Sequence, residues 1–284
     1  MIGRRFPSVD NDSISTAMPA PRCVLTWWGH ASVELRMDGV RVVTDPLLRR
    51  RIGPLHSVGY RPRDLRTALG SVDAVVLSHL HRDHTDLPSI GRFGARTRVI
   101  VPVGAGGLVR RRARGPVEEL AIGASTPVGR VRVVATEAVH DGRRDVRSLR
   151  AQAVGYLLVG SCSVYFAGDT EVFDGMADLV RDLPQGLDVA LLPVAGWGLT
   201  LGPGHMDVEA AVRALELLRP RVAVPVHWGT LRIPGAWRLR RARTLRSPHQ
   251  FAALAAERVP GTTVVVPGPG GHVHVPPVVP NAHR

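Results

Sequence analysis

The sequence predicts a mixed α/β (α+β) domain whose strands carry reactive residues at their ends. Three observations predict it. Short β-branched apolar runs recur from residue 23 onward, four of them lead into a His or Asp, and two capped helical segments interrupt the strand pattern in the second half. At 284 residues and 44% hydrophobic composition the chain is long enough for one large core, and it is not disordered or fibrous.

Residues 1 to 22 mix Arg, Pro, Ser, Asp and Asn without periodicity and are expected to form a flexible leader, so the folded domain is set at 23 to 268. Runs 24 to 28, 32 to 37 and 40 to 44 read as a meander, with Asp38-Gly39 as a two-residue hairpin turn. Residues 74 to 77 read as a buried strand, and 131 to 139, 164 to 168 and 222 to 226 as further strands. Asp207 caps a helix to residue 218, where apolar residues recur at three- and four-residue spacing and Pro220 prevents continuation. A second helix is expected from a Ser247 cap, with Pro248 at its first position, to about residue 258. From residue 267 the chain is rich in Gly and Pro, and 269 to 284 are expected to be a C-terminal tail. His272 and His274 there lack the third ligand a metal needs, and they read as a terminal strand or a disordered tail.

The densest chemistry lies at Ser78-His79-Leu80-His81-Arg82-Asp83-His84, four metal-ligand side chains within six residues, directly after the strand at 74 to 77. In extended chain His79 and His81 project to the same side, so both imidazoles reach one cation, while Asp83 and His84 in the following turn face a second. Imidazole and carboxylate donors without thiolate fit zinc, iron or manganese, and the His-Glu-x-x-His of helical metalloproteases is absent. His140, Asp169 and His227 each follow a strand run, and strand ends gathered at one edge of a core would bring all seven residues to one place.

His-x-His-x-Asp-His, a distal His, Gly-Asp-Thr and a terminal His-Trp-Gly-Thr, in that order, resemble the metallo-β-lactamase superfamily. Trp28-Gly29-His30-Ala31-Ser32, Thr44-Asp45-Pro46, Gly204-His205-Met206 and His227-Trp228-Gly229-Thr230 are similar to the branch containing L-ascorbate-6-phosphate lactonase and N-acyl-phosphatidylethanolamine phospholipase D. The resemblance covers residues 23 to 268 and implies a four-layer αββα sandwich of the metallo-β-lactamase type, which periodicity alone does not give. It implies that His79, His81 and His140 hold a first metal, that Asp83, His84 and His227 hold a second, and that Asp169 bridges them. Two divalent ions are expected, zinc by default, with manganese or iron as alternatives. The implied reaction is attack of a metal-activated hydroxide on an ester-type bond, a lactone or a phosphodiester, in a small or lipid-like anionic substrate. Asp83 would orient the hydroxide and carry its proton.

Residues beyond the ligands keep two readings each. His205, in a Gly-Pro-Gly-His loop before the Asp207 helix, is a substrate-binding or general-acid residue, or a structural His flanking a helix. His30 is a loop residue near the site or a packing His. Asp45 stands behind a metal-bound His to fix its tautomer, as the resemblance implies, or caps a strand-end turn. Thr170, Trp228 and Thr230 flank ligands and either shape the pocket or support it from behind.

The formal charge is +13, and all 37 cations are arginine, concentrated at 49 to 51, 110 to 112 and 238 to 246. These runs are solvated surface or steer anions, the last being the best placed for steering. Aromatic interleaving for base stacking is missing, so nucleic acid is not an expected partner, although a nuclease and an iron-dependent oxidoreductase are the competing activities on this scaffold. Cys23 and Cys162 lack CxxC spacing and read as reduced core thiols. No apolar run approaches the roughly 20 residues of a transmembrane helix, and a soluble cytoplasmic protein is expected.

Overall fold

Apolar strands bury both faces only between layers, and here the runs do so by stacking two sheets. The computed structural model describes residues 22–62, 65–144, 149–196, 201–234 and 237–275, with their side chains except at 65 and 237–244. The first half contributes β1 (Cys23–Gly29), β2 (Ser32–Met37), β3 (Val40–Thr44), β4 (Arg51–Ile52), β5 (Leu55–Ser57), α1 (Leu65–Gly70), β6 (Ala74–Val76), α2 (Leu87–Ile90), β7 (Arg98–Pro102), α3 (Gly106–Val109) and β8 (Val117–Leu120). The second half contributes β9 (Ser125–Val128), β10 (Val131–Glu137), β11 (Val154–Val159), β12 (Ser163–Phe166), a 3₁₀ segment (Asp174–Val180), β13 (Val189–Pro193), α4 (Val208–Leu218), β14 (Val222–Val226), β15 (Leu231–Arg232), α5 (Trp237–Arg258), β16 (Thr263–Val264) and β17 (His272–Val275).

One sheet runs β17-β1-β2-β3-β6-β7-β8, the other β16-β14-β13-β12-β11-β10-β9, and a small sheet β15-β5-β4 stands apart. Alternating side chains feed different layers. Val164 and Phe166 enter the core between the sheets with Leu25, Trp27 and Val133, while Tyr165 between them faces α4 and α5 with Leu215, Phe251 and Ala255. On the far side, Val43 and Val75 pack beneath the short helices against Leu69, Ile90, Phe93 and Val109. Three apolar seams between four layers are the αββα sandwich the sequence resemblance implied, and each fully buried Leu or Phe contributes about 1.5–3 kcal/mol.

Local chemistry accounts for several boundaries. Asp38 and Gly39 both have positive φ, 53° and 78°, the backbone of a hairpin turn that matches strand twist. The Asp207 side chain accepts from Ala210 N and starts α4, which ends at Arg219 in a left-handed conformation before Pro220. Two expectations are corrected. The last long helix starts at Trp237 rather than at a Ser247 cap, and Pro248 lies inside it. Proline there removes one helical hydrogen bond, which a helix of 22 residues tolerates when its C-terminal half is anchored by buried Phe251 and Ala255. The domain also does not end at residue 268. β17 pairs antiparallel with β1, Cys23 opposite Val275, covering what would be an unpaired edge, with Val273 and Val275 turned inward and His272 and His274 outward. The leader expected at 1 to 22 lies outside the described residues except for Arg22, and the rest of the tail, 276 to 284, also lies outside them. Among the described residues no helix is long and apolar enough to cross a membrane.

A candidate dinuclear metal centre

β3, β6, β7 and β8 run parallel, as do β12, β13, β14 and β16, so their C-terminal ends open at common edges. Asp45 follows β3, His79 follows β6, Asp169 follows β12 and His227 follows β14. His30 follows β1, and His140 lies beyond the end of β10. Residues distant in sequence therefore meet in one place.

The meeting has two halves. His79 Nε2 and His140 Nε2 lie 2.9 and 3.1 Å from His81 Nδ1. His84 Nε2 lies 3.2 Å from His227 Nε2, and Asp169 Oδ2 is 3.2 and 3.3 Å from those two nitrogens. Asp83 Oδ2 is 3.9 Å from His84 Nε2 and 3.0 Å from His30 Nε2. His79, His81 and His140 thus form one metal-capable group, and Asp83, His84 and His227 form a second that also takes in His30. Asp169 touches the second and joins His140 and His205 in another, so it reaches toward both halves.

Proton bookkeeping shows what such a cluster needs. His227 Nδ1 donates to the Ala195 carbonyl at 2.7 Å, His140 Nδ1 to the Gly204 carbonyl at 2.7 Å, and His84 Nδ1 to the Asp45 carboxylate at 2.8 Å. Ser78 Oγ gives its proton to Asp45 at 2.5 Å, so at 2.9 Å it accepts from His79 Nδ1. When all four imidazoles are neutral, four Nε2 atoms are left with bare lone pairs facing one another and a carboxylate, and Asp169 Oδ1 is buried without a hydrogen-bond partner. Such a set repels itself unless cations stand between its members. Nitrogen ligands about 2.0–2.1 Å from a tetrahedral ion are separated by roughly 3.3 Å, close to the contacts seen here.

The electrostatics agree. Burial pushes His140 down to about 4 and His227 down to about 3 against the pull of Asp169, so both are neutral imidazoles at neutral pH, the form a metal takes. Burial, then the neighbouring His84, also lowers His79. His84 goes the other way: burial opposes its charge, but Asp169, Asp45 and Asp83 outweigh burial and hold it well above its ordinary value.

A Beta-lactamase superfamily domain model matches residues 40–228. The chain belongs to the metallo-β-lactamase superfamily. It is an enzyme of that fold, in the metal-dependent hydrolase class. This metallo-β-lactamase-fold enzyme is 32% identical over 271 residues to an uncharacterised protein of Mycobacterium tuberculosis, covering 89% of this chain and 69% of the relative. It is 30% identical over 250 residues to a UPF0173 metal-dependent hydrolase of Pyrococcus furiosus, covering 87% and 96%. A Caenorhabditis elegans N-acyl-phosphatidylethanolamine-hydrolyzing phospholipase D is 27% identical over 225 residues, covering 72% of this chain and 63% of that one. The fold also matches a metallo hydrolase from Ignicoccus hospitalis, with a TM-score of 0.68 at 24% identity over 88% and 97% of the two chains.

Around the metallo-β-lactamase centre the supporting residues separate by role. Asp45, fully buried, holds His84 directly and His79 through Ser78, and also accepts from Ser78 N at 2.7 Å. His30 is 2% exposed and engages Asp83, its carbonyl accepts from His227 N at 3.0 Å, and its own N donates to Thr230 Oγ1 at 2.8 Å. Thr170 Oγ1 accepts from Val139 N at 2.8 Å, fixing the segment before His140. Trp228 stacks on Trp27 at 4.7 Å and donates to Pro225 O, so it packs behind the site. His205 is half-buried with Nε2 3.4 Å from Asp169 Oδ2. Sequence reading missed Ser78 and the carbonyls of Ala195 and Gly204. Gly204 alone carried a signal: its φ is +78°, and a Cβ there would stand 2.7 Å from His140 Nδ1. Arg144 was also missed; it donates to the carbonyls of Leu80 and Thr85 at 2.9 and 2.6 Å and ties down the loop bearing His81, Asp83 and His84. Of the run 238 to 246 expected to steer anions, the side chains at 238 to 244 lie outside the described ones.

Proposed function

We propose that this enzyme hydrolyses an ester-type bond, a lactone or a phosphodiester, in a small or lipid-like anionic substrate. His79, His81 and His140 would hold one divalent ion, Asp83, His84 and His227 a second, and Asp169 would bridge them, with zinc the default and manganese or iron the alternatives. The observation that carries this reading is a cavity of about 390 Å³ beside the cluster. Its lining combines polar His81, Asp83, Asp169, His205 and His227 with apolar Ile52, Pro54, Leu55 and Leu201. A substrate with a polar reactive end and an apolar remainder matches that combination. The phospholipase D relative supports the phosphodiester arm, and the UPF0173 relatives support hydrolysis in general.

Bound divalent ions would supply Lewis acidity to the scissile group and acidify a water to near neutrality. Asp83 is kept ionised: burial disfavours its charge, but the His30 hydrogen bond and the neighbouring His84 and His227 hold it well below the usual carboxylate range. It can therefore accept a hydrogen bond from the attacking water and pass the proton onward. His205 loses basicity to burial and regains more from its Asp169 hydrogen bond, so its pKa is raised. An imidazole of raised basicity at the cavity wall is suited to a developing negative oxygen or a leaving group. Ile52 and Leu55 from the β4–β5 hairpin add apolar wall to the same cavity.

Metal-analysed protein should be screened against lactones, phosphodiesters and thioesters, each with and without an acyl chain. Turnover of a lactone or phosphodiester that tracks metal content is expected. No turnover of either at any zinc, manganese or iron loading, or oxygen uptake by the iron form in its place, would overturn the reading.

A further inference from the structure

Cys23 opens β1, whose far end leads to His30, and Cys162 precedes β12, whose far end leads to Asp169. The two cysteines therefore mark the end of the sandwich opposite the metal centre, one on each sheet. Their Sγ atoms are 3.0 Å apart, and neither residue is more than 1% exposed. A buried cysteine ordinarily acts as a small hydrophobe, and nothing in that role requires two from different sheets to meet sulfur to sulfur. Neither belongs to a metal-capable group among the described residues. Both thiols are unbonded in this structure.

We propose that Cys23 and Cys162 are a reversible disulfide site that staples the two sheets together, with low-molecular-weight disulfides such as oxidised glutathione as the reacting class. Access comes from a second cavity of about 430 Å³, lined by Arg22, Gly160, Ser161, Cys162, Leu183 and Gly186, which reaches the turn between β11 and β12. That turn, with Ser161 exposed at its tip, is held by the Gly160 N to Cys162 O bond of 3.0 Å and by Ser161, whose N donates to Asp38 Oδ2 at 2.7 Å and whose Oγ donates to the Arg22 carbonyl at 3.3 Å, so a local opening that releases these three bonds presents Cys162 while both strand ladders stay paired. The chemistry balances in two exchanges. One cysteine thiolate attacks the small disulfide, forming a mixed disulfide and releasing one small thiol. The other cysteine then attacks the protein sulfur of that mixed disulfide, closing the Sγ–Sγ bond and releasing the second small thiol. The protein gives up two hydrogens and two electrons, and the small disulfide takes both. Contact with Cys23, then burial, pushes the Cys162 thiol up, so exchange quickens as pH rises.

The full chain should be incubated with oxidised or reduced glutathione, then denatured, alkylated with N-ethylmaleimide and weighed intact. The oxidised sample is expected to lose two hydrogens, take up no label, and yield on digestion a peptide linking residue 23 to residue 162. Its unfolding constant in urea should fall on the order of a hundred- to a thousand-fold, because the bond closes a long loop containing most of the first sheet and β9, β10 and β11 of the second. Cys23→Ser should show no such difference between the two incubations, and the metal-dependent turnover of folded wild-type protein should be the same in both. Two alkylatable thiols after oxidation, or stable glutathione adducts on each cysteine without the linked peptide, would overturn the proposal. The wild-type labelling decides this even if the serine variant does not fold.

Discussion

Asp45→Asn tests whether the metal centre depends on a carboxylate that touches no substrate. Asp45 is fully buried and accepts from Ser78 N at 2.7 Å, Ser78 Oγ at 2.5 Å and His84 Nδ1 at 2.8 Å. Asparagine keeps the volume and one acceptor oxygen. With that oxygen on Ser78 N, its amide hydrogens meet the hydroxyl proton of Ser78 and the Nδ1 proton of His84, donor against donor. His84 escapes by shifting its proton to Nε2, the atom 3.2 Å from both His227 Nε2 and Asp169 Oδ2. A ligand is then lost without its residue being touched. Removing such an outer partner weakens metal binding about 10- to 100-fold, or about 1.4–2.7 kcal/mol. The upper end is expected here, because the same carboxylate also orients His79 through Ser78. Competition with a chromogenic chelator gives both affinities, with Ser78→Ala as the partial control that disturbs the His79 branch and spares His84. Two equivalents of metal bound by folded Asp45→Asn at wild-type affinity would refute the reasoning.

Four further outcomes follow from the same geometry. His84 is held protonated well above its ordinary value in the metal-free protein, so metal loading at neutral pH should expel about one proton, measurable by calorimetry in buffers of different ionisation enthalpy. The sign in the metal-free protein is fixed by the same shift: His84 contributes stability that is fully present below about pH 6.5 and is lost as pH rises through its raised folded value, which urea titrations across that range would detect. Asp83→Asn should keep the ion of the His79, His81 and His140 group and lose turnover by about 10²–10⁴-fold, read by kinetics and metal analysis on one sample. Leu55→Ala should raise KM for acyl-bearing substrates by roughly tenfold, from about 1.5 kcal/mol of lost apolar contact, while short substrates keep their KM.

Much of this molecule is legible because candidate ligands at strand ends leave a local trace: an apolar run, then His or Asp. Asp38-Gly39 and the Asp207 cap are readable for the same reason, since the physics that sets them is contained within a few residues. What escaped depends on tertiary neighbours. The β4–β5 hairpin that walls the cavity is two and three residues long, too short for any periodicity, and it is stabilised by β15 and by Arg61, which donates to the carbonyls of Leu48, Arg49, Ser57 and Gly59. Backbone carbonyls such as those of Ala195 and Gly204 have no residue identity to read at all. The helix through Pro248 is a case of packing overriding a local stop signal. By contrast, β17 was readable: His-Val-His-Val alternates outward and inward, and only the surrounding glycines and prolines disguised it.

The backbone itself records what the site demands. Among the described residues, five non-glycine positions have positive φ, and three of them, His30 at 54°, Asp45 at 33° and His227 at 63°, belong to the centre. Conformations of this kind cost about 1–3 kcal/mol each and persist only where surrounding contacts over-determine them. Here they do: the His30 carbonyl receives both Trp27 Nε1 and His227 N, Thr230 fixes the His30 amide, and Ser32 Oγ donates to the Asp45 carbonyl at 2.7 Å. Two strained residues from opposite sheets are thus bonded to each other. The strain turns each chain sharply as it leaves its strand, so a side chain that would have continued along the sheet face points across the edge instead. Sheet packing supplies the stability, and the strand ends spend part of it to bring the His30 and Asp45 loops of one sheet against the His227 loop of the other.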